Sequence, residues 1–291
     1  MKYTSAFRRT VALCLIMPLA SPASAFDISP GDYVWLGDGK NLFLTYGQIA
    51  RSDTLNLDGT GSVPDSSLST AAGILRGVTY HELGGHRFSF QAILPYVSIG
   101  KADVAGAPQS VADGLGDLTM AATYYPLASA EPTGTTLGLT LFVTAPTGAY
   151  ETGQLSVGSG AWILTPQIGI VQGLGEGWFL DGALDVAFQV DSEHDGVKRE
   201  RDPTTQIQAY VRKQVSPATA ISFGYSGSFG GELEVDGTYT GMNARKDQVR
   251  LFGSTFLSPT DQVQIMLSKD LRAEGGFEDD GTVQFRYLKL F

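Results

Sequence analysis

Apolar and polar side chains alternate along most of this chain, in stretches of about eleven residues. In residues 177–190, Leu184 and Val186 lie on one face of an extended chain, and Asp181 and Asp185 lie on the other. The same pattern recurs in the stretches HRFSFQAILPYV, TLGLTLFVT and TTQIQAYVRKQ. A period of two indicates β-strands with two different faces, because a helix would repeat every 3.6 residues.

Twelve such stretches can be traced, so we predict an all-β protein with about twelve strands, within a range of ten to fourteen. The links between strands alternate between short and long, which is typical of an antiparallel up-and-down barrel with turns at one rim and loops at the other. The predicted strands are 40–51, 70–82, 86–99, 116–126, 134–145, 160–172, 177–190, 204–215, 219–230, 247–257, 262–271 and 281–291. The predicted long links are 52–69, 100–115, 146–159, 191–203, 231–246 and 272–280.

The polar face of these strands favours a membrane barrel over a soluble one. A soluble sandwich or lipocalin-like barrel also alternates, but its polar face meets water and is usually rich in Lys and Glu. Here the polar face carries Gln, Ser, Thr, Gly, Asp and Arg, as the wall of a water-filled interior would. Aromatic residues near strand ends fit the girdle of a membrane interface: Tyr96, Tyr125, Trp162, Trp178, Phe229 and Phe291. We therefore predict apolar side chains facing lipid and polar side chains facing a lumen.

The two ends of the chain agree with export to an outer membrane. Residues 1–25 have a basic start, a short apolar core and the small residues ASA, which predicts a cleaved signal peptide. Cys14, the single cysteine, lies inside it.

The last strand, GTVQFRYLKLF, predicts the segment that directs membrane insertion. Val283, Phe285, Tyr287 and Phe291 lie on its apolar face, and outer-membrane barrels typically end in such a strand with a terminal aromatic residue. Lys289 departs from the pattern on the lipid-facing side, where its amine can reach the headgroups.

Charge and hydropathy exclude two classes of protein. The chain has 20 Lys and Arg against 30 Asp and Glu, and three of the basic residues lie in the signal peptide. The mature chain thus has 17 against 30, a net charge of −13, which argues against a nucleic-acid partner. After residue 25 no apolar stretch is long enough for a transmembrane helix, whereas strands of alternating polarity give a mean hydropathy near zero, and the value is +0.01.

Three stretches carry a resemblance to a known family: GLGDLTMAATYYPL at 114–127, APTGAYETGQLSVGSGAWILTPQIGI at 145–170, and GWFLDGALDVAF at 177–188. They resemble the outer-membrane transporters associated with the meta-pathway of phenol degradation. The resemblance implies an outer-membrane barrel that passes small, often aromatic or hydrophobic, molecules. It carries over no catalytic residue, because the family has no established one.

The polar parity of the strands predicts which residues line the lumen. They are Arg87, Asp117, Asp181, Asp185, Gln208, Arg212, Arg250, Asp270 and Arg286. One hypothesis is that Arg87, Arg212, Arg250 and Arg286 line a conduit and set its ion preference. The alternative is that Arg and Asp pair across the lumen and brace its wall, and the sequence leaves both open.

Catalytic and metal motifs are absent from the sequence. HELGGH spaces His81 and His86 five apart at a predicted turn, so it is not the helical zinc motif, and no G-x-S-x-G occurs. We predict no enzyme, no catalytic residue, no metal site and no cofactor. The segment DSEHDG at 191–196 is expected to be a solvated outer loop, and the stretch 191–202 that contains it has eight charged residues in twelve.

These observations predict a signal peptide at 1–25, an N-terminal segment at 26–39 and a barrel at 40–291, in the outer membrane of a Gram-negative bacterium. The segment 26–39 is a tail, an extra strand or a plug, and we favour a periplasmic tail. The expected function is passage of small molecules, with loops 52–69, 100–115 and 191–203 gating the outer mouth. The alternatives are a structural or adhesive barrel with a closed lumen and a lipid-modifying enzyme. The expected partners are outer-membrane lipids, lipopolysaccharide, the barrel-assembly machinery and an unidentified small molecule.

Overall fold

The computed structural model describes residues 27–291. The predicted signal peptide and Cys14 lie outside the described residues. In the part of the chain that is described, no helix is long and apolar enough to cross a membrane. Twelve long strands form the body of the protein: β1 (Asn41–Ser52), β2 (Ser67–Leu83), β3 (His86–Val104), β4 (Leu118–Ala128), β5 (Thr135–Ala145), β6 (Ile163–Gly175), β7 (Trp178–Gln189), β8 (Thr204–Gln214), β9 (Thr219–Gly230), β10 (Lys246–Ser258), β11 (Asp261–Ala273) and β12 (Gly281–Leu290).

The strands close into a single antiparallel barrel. Each strand pairs with the next along the chain, and β1 pairs with both β2 and β12, so that Thr45 lies opposite Leu75 on one side and Tyr287 on the other. Closure satisfies every strand edge, which a bilayer requires because it offers no water to unpaired backbone groups. The prediction of a twelve-stranded up-and-down barrel is confirmed, with strand ends shifted by a few residues. The largest shift is in β3, which continues to Val104.

Side-chain parity separates the two faces of the barrel wall. Large apolar side chains point outward, with Ile49, Met120 and Phe223 each about 60% exposed. Polar side chains on the alternate positions are buried inside. Tyr125 is an exception to the predicted aromatic girdle, because it points into the lumen and is 4% exposed. An inward side chain two residues from Thr123 is what the strand period requires, and the aromatic ring alone did not reveal it.

The closing strand β12 has its predicted apolar face outward. Val283, Phe285 and Phe291 are exposed, while Tyr287 is half-buried and donates a hydrogen bond to Asp261 (2.5 Å). The Phe291 N–H donates to the Asn41 carbonyl (2.8 Å), and the Asn41 N–H donates to the Phe291 carbonyl (3.2 Å). The last residue of the chain therefore completes the seam with the first strand.

Lys289 meets an acidic partner at the same rim. Its Nζ lies 2.9 Å from the Asp261 carboxylate, which is on the neighbouring strand β11. The lysine is therefore neutralised by a neighbour at the edge of the membrane, in addition to its reach toward headgroups.

The two rims differ as the link lengths predict. At the rim that holds Asn41 and Phe291, strands are joined by tight turns; Gly84 and Gly85 both have positive φ, as a two-residue hairpin turn requires. At the opposite rim the long links contain short strands, most of which form small sheets, while Ala107–Pro108 and Gly114–Leu115 pair with β3. Their strands are Thr54–Leu57, Gly61–Val63, Ala107–Pro108, Val111–Ala112, Gly114–Leu115, Leu155–Ser156, Ser192–His194, Val197–Arg201, Leu233–Val235, Thr238–Tyr239 and Gly276–Glu278.

These small sheets enclose a second apolar core above the barrel. Its centre is made by Leu55, Leu155 and Leu233, each no more than 2% exposed, and Met242 and Phe277 pack against them. The links at this rim are thus packed structure that narrows the mouth of the lumen.

Candidate functional site: the barrel lumen and its plug

Residues 27–36, hereafter the plug segment, lie inside the barrel. The chain leaves the start of β1 at the turn rim and rises into the lumen, where Ile28 and Tyr33 are 6% and 5% exposed. Near the turn rim, Trp35 packs against Tyr80 and Tyr125, with ring centroids 5.4 Å apart in both cases. The segment therefore lies in the lumen as a plug, whereas the sequence analysis favoured a periplasmic tail. Ion pairs and hydrogen bonds from several strands hold it there.

Asp32 is the centre of the charged contacts. Its Oδ2 lies 3.0 Å from Nη1 of Arg76 on β2, and its Oδ1 lies 3.0 Å from Nη1 of Arg286 on β12. All three side chains are at most 16% exposed. One carboxylate thus neutralises two arginines on different parts of the wall, and it ties the plug segment to both.

Asp27 makes the second ion pair, higher in the lumen. Nη2 of Arg250 contacts both carboxylate oxygens, at 2.9 and 3.0 Å. Gln208 supports the same region, since its Oε1 accepts from the Ile28 N–H at 3.1 Å and from the Tyr210 hydroxyl at 3.0 Å. The plug segment therefore contacts the wall where three polar side chains converge.

A third contact is made by the backbone of the plug segment. The Gly31 N–H donates to Oδ1 of Asp181 (3.0 Å), and Asp181 is 1% exposed. Arg212 neutralises this carboxylate through two hydrogen bonds, Nε to Oδ2 at 2.8 Å and Nη2 to Oδ1 at 3.1 Å. The Arg212 guanidinium also lies 4.2 Å from the ring centroid of Phe179. A bidentate pair of this kind fixes the geometry of both partners.

Tyr33 packs into a complementary site on the inner wall of the barrel. Its hydroxyl is 2.8 Å from Oγ1 of Thr140 and donates to Oε1 of Gln167 at 2.6 Å. Its ring lies over Gly138 and Gly169, which face each other on β5 and β6. A β-carbon at either glycine would overlap the ring, so the absence of a side chain at both positions makes room for the tyrosine.

The remaining predicted lumen residues lie on the inside or at its ends. Asp185 is 1% exposed and accepts from Gln167 (2.8 Å), and its Oδ1 has no hydrogen-bond partner among residues 27–291. Asp270 pairs with Lys246 (2.9 Å) near the loop rim. Arg87 is half-buried at the turn rim, and the described residues place no carboxylate within 4.0 Å of it.

Asp117 lies just before β4 and braces loops. Its carboxylate accepts from the Gly148 N–H (2.8 Å) and from the N–H of Ser159 (2.7 Å).

Of the nine predicted lumen residues, the plug segment contacts four: Asp181, Gln208, Arg250 and Arg286. The structure thus shows Arg–Asp pairing at Arg212, Arg250 and Arg286, and whether these residues set an ion preference stays a prediction.

Three cavities lie inside the barrel, and the plug segment lines the inner and the central one. The inner cavity, of about 250 Å³, is lined by Leu36 and Leu288 near the turn rim. The central cavity, of about 360 Å³, includes Arg250 and Gln284. The outer cavity, of about 230 Å³, lies under the loops and includes Arg201. Arg76 lines both the inner and the central cavity, and its partner Asp32 lines the inner one. The central and outer cavities share Gln48, Ala72, Val97 and Val157.

Sequence reasoning missed four residues of this arrangement. Asp27, Asp32 and Tyr33 belong to a segment without alternation, so no periodicity reveals which side chains face the wall. Arg76 lies in GILRGVTYH, where apolar residues occupy both parities and hide the lumen face. Two features of the sequence could have pointed to this arrangement. One is Arg76, an arginine in the middle of a predicted strand, and the other is the pair of glycines, Gly138 and Gly169, on neighbouring strands.

Residues 191–196 of the charged link are largely exposed, as expected, whereas two arginines that follow them are buried. Arg199 and Arg201 are only 2% and 7% exposed, because Val197–Arg201 pairs with Leu233–Val235 in a small sheet that turns alternate side chains inward. Arg199 donates from Nη1 to the Tyr150 hydroxyl (3.0 Å), and Arg201 donates from Nη1 to the Gly231 carbonyl (3.1 Å). The Lys198 side chain is 51% exposed, as expected of a surface loop.

Comparison with known proteins agrees with this architecture. A solved structure described as the COG4313 outer membrane channel from Pseudomonas putida F1 is 29% identical, with a TM-score of 0.82, and the match covers 91% of this chain and 100% of that one. The β domain of the Bordetella autotransporter BrkA is 8% identical with a TM-score of 0.50, covering 87% and 99%, a likeness of fold alone. The CymD monoaromatic hydrocarbon channel is 11% identical with a TM-score of 0.47, covering 88% and 89%. No curated protein matches the chain in sequence.

The family comparison covers most of the barrel. Residues 52–287 match the model of the family described as "Putative MetA-pathway of phenol degradation". This range includes all strands from β2 to β11, and with them the wall that holds the plug segment. The match agrees with the resemblance carried by residues 114–127, 145–170 and 177–188. The chain is therefore an outer-membrane-type β-barrel channel that belongs to this family.

Proposed function

We propose that this protein is a passive channel of the Gram-negative outer membrane for small molecules, aromatic and hydrophobic compounds among them, and that the plug segment restricts its lumen. The observation that carries the proposal is the series of inner, central and outer cavities, in which the plug segment lies between the inner and the central cavity and its Asp32 pairs with Arg76, which lines both. A rigid wall with a separable obstruction is what a gated conduit needs. The family description, which names phenol degradation, supports the cargo class.

The outer surface supports the proposed location. A band of exposed apolar side chains surrounds the barrel, and Trp162 and Trp178, exposed by 51% and 43%, lie at opposite ends of it. Lipids and lipopolysaccharide are the proposed partners of this surface, and the barrel-assembly machinery is the proposed partner of β12. The turn rim would face the periplasm, because outer-membrane barrels place short turns there and long loops outside.

The chemistry of the lumen supports transport over catalysis. Asp181, Arg212 and Arg250 are each engaged in ion pairs. The arrangement braces a wall and positions a plug. We propose a conduit rather than a lipid-modifying enzyme on this basis.

Reconstitution tests the proposal. The mature protein, and a variant that lacks residues 27–36, are inserted into planar bilayers and into liposomes loaded with solutes of graded size. We expect stepwise conductance from both, with larger steps and faster liposome swelling from the deletion variant. Heat-dependent migration on a gel verifies that both have folded as barrels.

A second function is favoured by the same contacts and has a different outcome. Three acidic anchor points, one of them clamping two arginines, could hold the lumen shut permanently in a structural or adhesive barrel. Such a barrel would give no conductance steps when intact, and no solute would enter the liposomes. That result would replace the channel proposal with this one.

A further inference from the structure

The outer cavity holds a buried cation without an anionic partner. Arg201 lines this cavity and is 7% exposed. Within residues 27–291 its guanidinium has one hydrogen bond, from Nη1 to the Gly231 carbonyl, and its Nε has no acceptor. No carboxylate of the described chain lies within 4.0 Å of it. Buried charges are normally paired, because removing them from water costs several kcal/mol.

The other charged groups around the outer cavity are satisfied. Lys246 contacts Asp279 at 3.0 Å and also pairs with Asp270, and Arg245 contacts Asp247 at 3.1 Å. Glu274 pairs with Arg272, which lies outside the cavity. In the described part of the lining, the excess positive charge therefore belongs to Arg201.

A second arginine adds to the positive charge behind the cavity wall. Arg199 is two residues from Arg201 on the same side of the short strand Val197–Arg201, and its Nε and Nη2 have no partners among the described residues. Burial and the neighbouring Arg199 lower the pKa of Arg201 to about 10. The Arg201 guanidinium still carries its charge at neutral pH, so the site attracts an anion although the mature chain is strongly acidic.

The rest of the outer cavity is apolar. Leu68, Val157, Met242 and Phe277 line it together with Arg201. Its volume of about 230 Å³ is several times the roughly 30 Å³ share of one water molecule. A flat guanidinium fork beside apolar walls matches a planar oxyanion attached to an apolar body.

We propose that the outer cavity is a capture site for small organic carboxylates, with Arg201 binding the carboxylate and the apolar walls holding the hydrocarbon part. The inference rests on the proposed function and names a substrate class for it. The outer cavity shares Gln48, Ala72, Val97 and Val157 with the central cavity, so a bound carboxylate lies at the entrance to the lumen. Beyond it, Arg250 and Arg76 line the central cavity, each paired with an aspartate of the plug segment.

Hexanoate and its neutral isostere hexanamide test the site. Binding to the full mature protein in detergent is measured by calorimetry for wild type, Arg201→Gln, Arg201→Lys and Lys198→Gln. Lys198 is the matched control, because it lies on the same short strand but faces outward and is 51% exposed. We expect wild type and Lys198→Gln to bind hexanoate in preference to hexanamide, and Arg201→Gln to lose about ten-fold or more in hexanoate affinity.

Arg201→Lys still tests the site if Arg201→Gln disturbs the folding of the small sheet that contains Val197–Arg201. Arg201→Lys retains the charge and loses the planar fork, so we expect an affinity between those of wild type and Arg201→Gln. Inorganic phosphate added as a competitor should displace hexanoate weakly, since it cannot use the apolar walls. Equal binding of hexanoate and hexanamide, an equal loss in Lys198→Gln, an unchanged Arg201→Lys, or displacement by phosphate as strong as by hexanoate would each overturn the site.

The binding and transport measurements fail independently. If liposomes admit hexanoate and hexanamide alike and binding does not depend on Arg201, the channel stands and the capture site is wrong. If hexanoate binds through Arg201 but no solute enters liposomes, the site stands and the conduit is wrong.

Discussion

The ring of Tyr33 occupies the space that a side chain at Gly169 would need. Because Gly138 lies opposite Gly169 on the neighbouring strand, the wall presents a flat floor on which the plug segment rests. The Tyr33 hydroxyl then reaches Thr140 and Gln167 at hydrogen-bond distance. Removing this floor should release the plug segment without altering the outer surface of the barrel.

Gly169→Ala should loosen the plug segment. Its methyl group forces the Tyr33 ring off the wall, and overpacking of this kind costs about 1–3 kcal/mol. We expect a larger mean conductance and stronger quenching of Trp35 fluorescence by iodide. Gly77→Ala is the control, because a β-carbon there meets no atom within 4 Å. Identical conductance of the two variants would show that the packing of Tyr33 does not hold the plug segment.

Asp32→Asn should open the boundary between the inner and central cavities. The change leaves Arg76 and Arg286 without their shared carboxylate, and losing one partner of a buried ion pair costs about 3–5 kcal/mol. We expect larger conductance and a reversal potential shifted toward anions in a salt gradient. Asp38→Asn, in an exposed position, should change neither. A shift toward cations would contradict the assignment.

Arg250→Ala should shift ion preference toward cations. It leaves the Asp27 carboxylate, 57% exposed to the lumen, as an unpaired negative charge. Reversal potentials measure the shift, and Lys213→Ala, outside the lumen beside Trp178, serves as the comparison. Unchanged ion selectivity would mean that Arg250 holds the plug segment in place but does not set the ion preference.

Arg212→Ala should act mainly on stability. Its partner Asp181 is 1% exposed, so the buried carboxylate loses its two charged hydrogen bonds and the cost is about 3–5 kcal/mol. The temperature at which the folded band disappears on a gel should fall. An unaltered transition would mean that Gly31 and water suffice to hold Asp181.

Deletion of Phe291 should reduce assembly. The backbone of Phe291 makes both hydrogen bonds to Asn41 at the seam, and its exposed ring extends the apolar face of β12. We expect less folded protein in the outer membrane and more unfolded precursor. Leu257→Ala, which removes a side chain 67% exposed at the same rim, is the control and should assemble normally.

The sequence predicts the wall of this barrel far better than its contents. Alternation in stretches such as GWFLDGALDVAF reflects a local rule, since each strand must present one face to lipid and the other to the lumen. Position along the strand therefore placed Asp181, Asp185 and Gln208 inside. The same rule could have placed Tyr125, which was assigned to the girdle because it is aromatic and near a strand end.

The plug segment follows no local rule. Asp27, Asp32 and Tyr33 are held by contacts to residues more than 40 positions away in the chain, and nothing near them in sequence specifies those partners. Arg201 was missed for a related reason. A charged link is usually solvated, and it becomes buried here only because it pairs with Leu233–Val235.

The attachment of the plug segment to β1 fixes the direction in which it can leave. The chain joins β1 through Lys40 at the turn rim, where the Lys40 carbonyl accepts a hydrogen bond from the Tyr80 N–H (2.9 Å). While β1 stays paired, the plug segment can therefore withdraw only toward that rim. A solute that enters from the loop rim would push the plug segment toward the turn rim, which is the direction in which the segment can withdraw. A plug segment tethered at the turn rim would therefore be displaced more readily by a solute that enters from the loop rim than by one that enters from the turn rim.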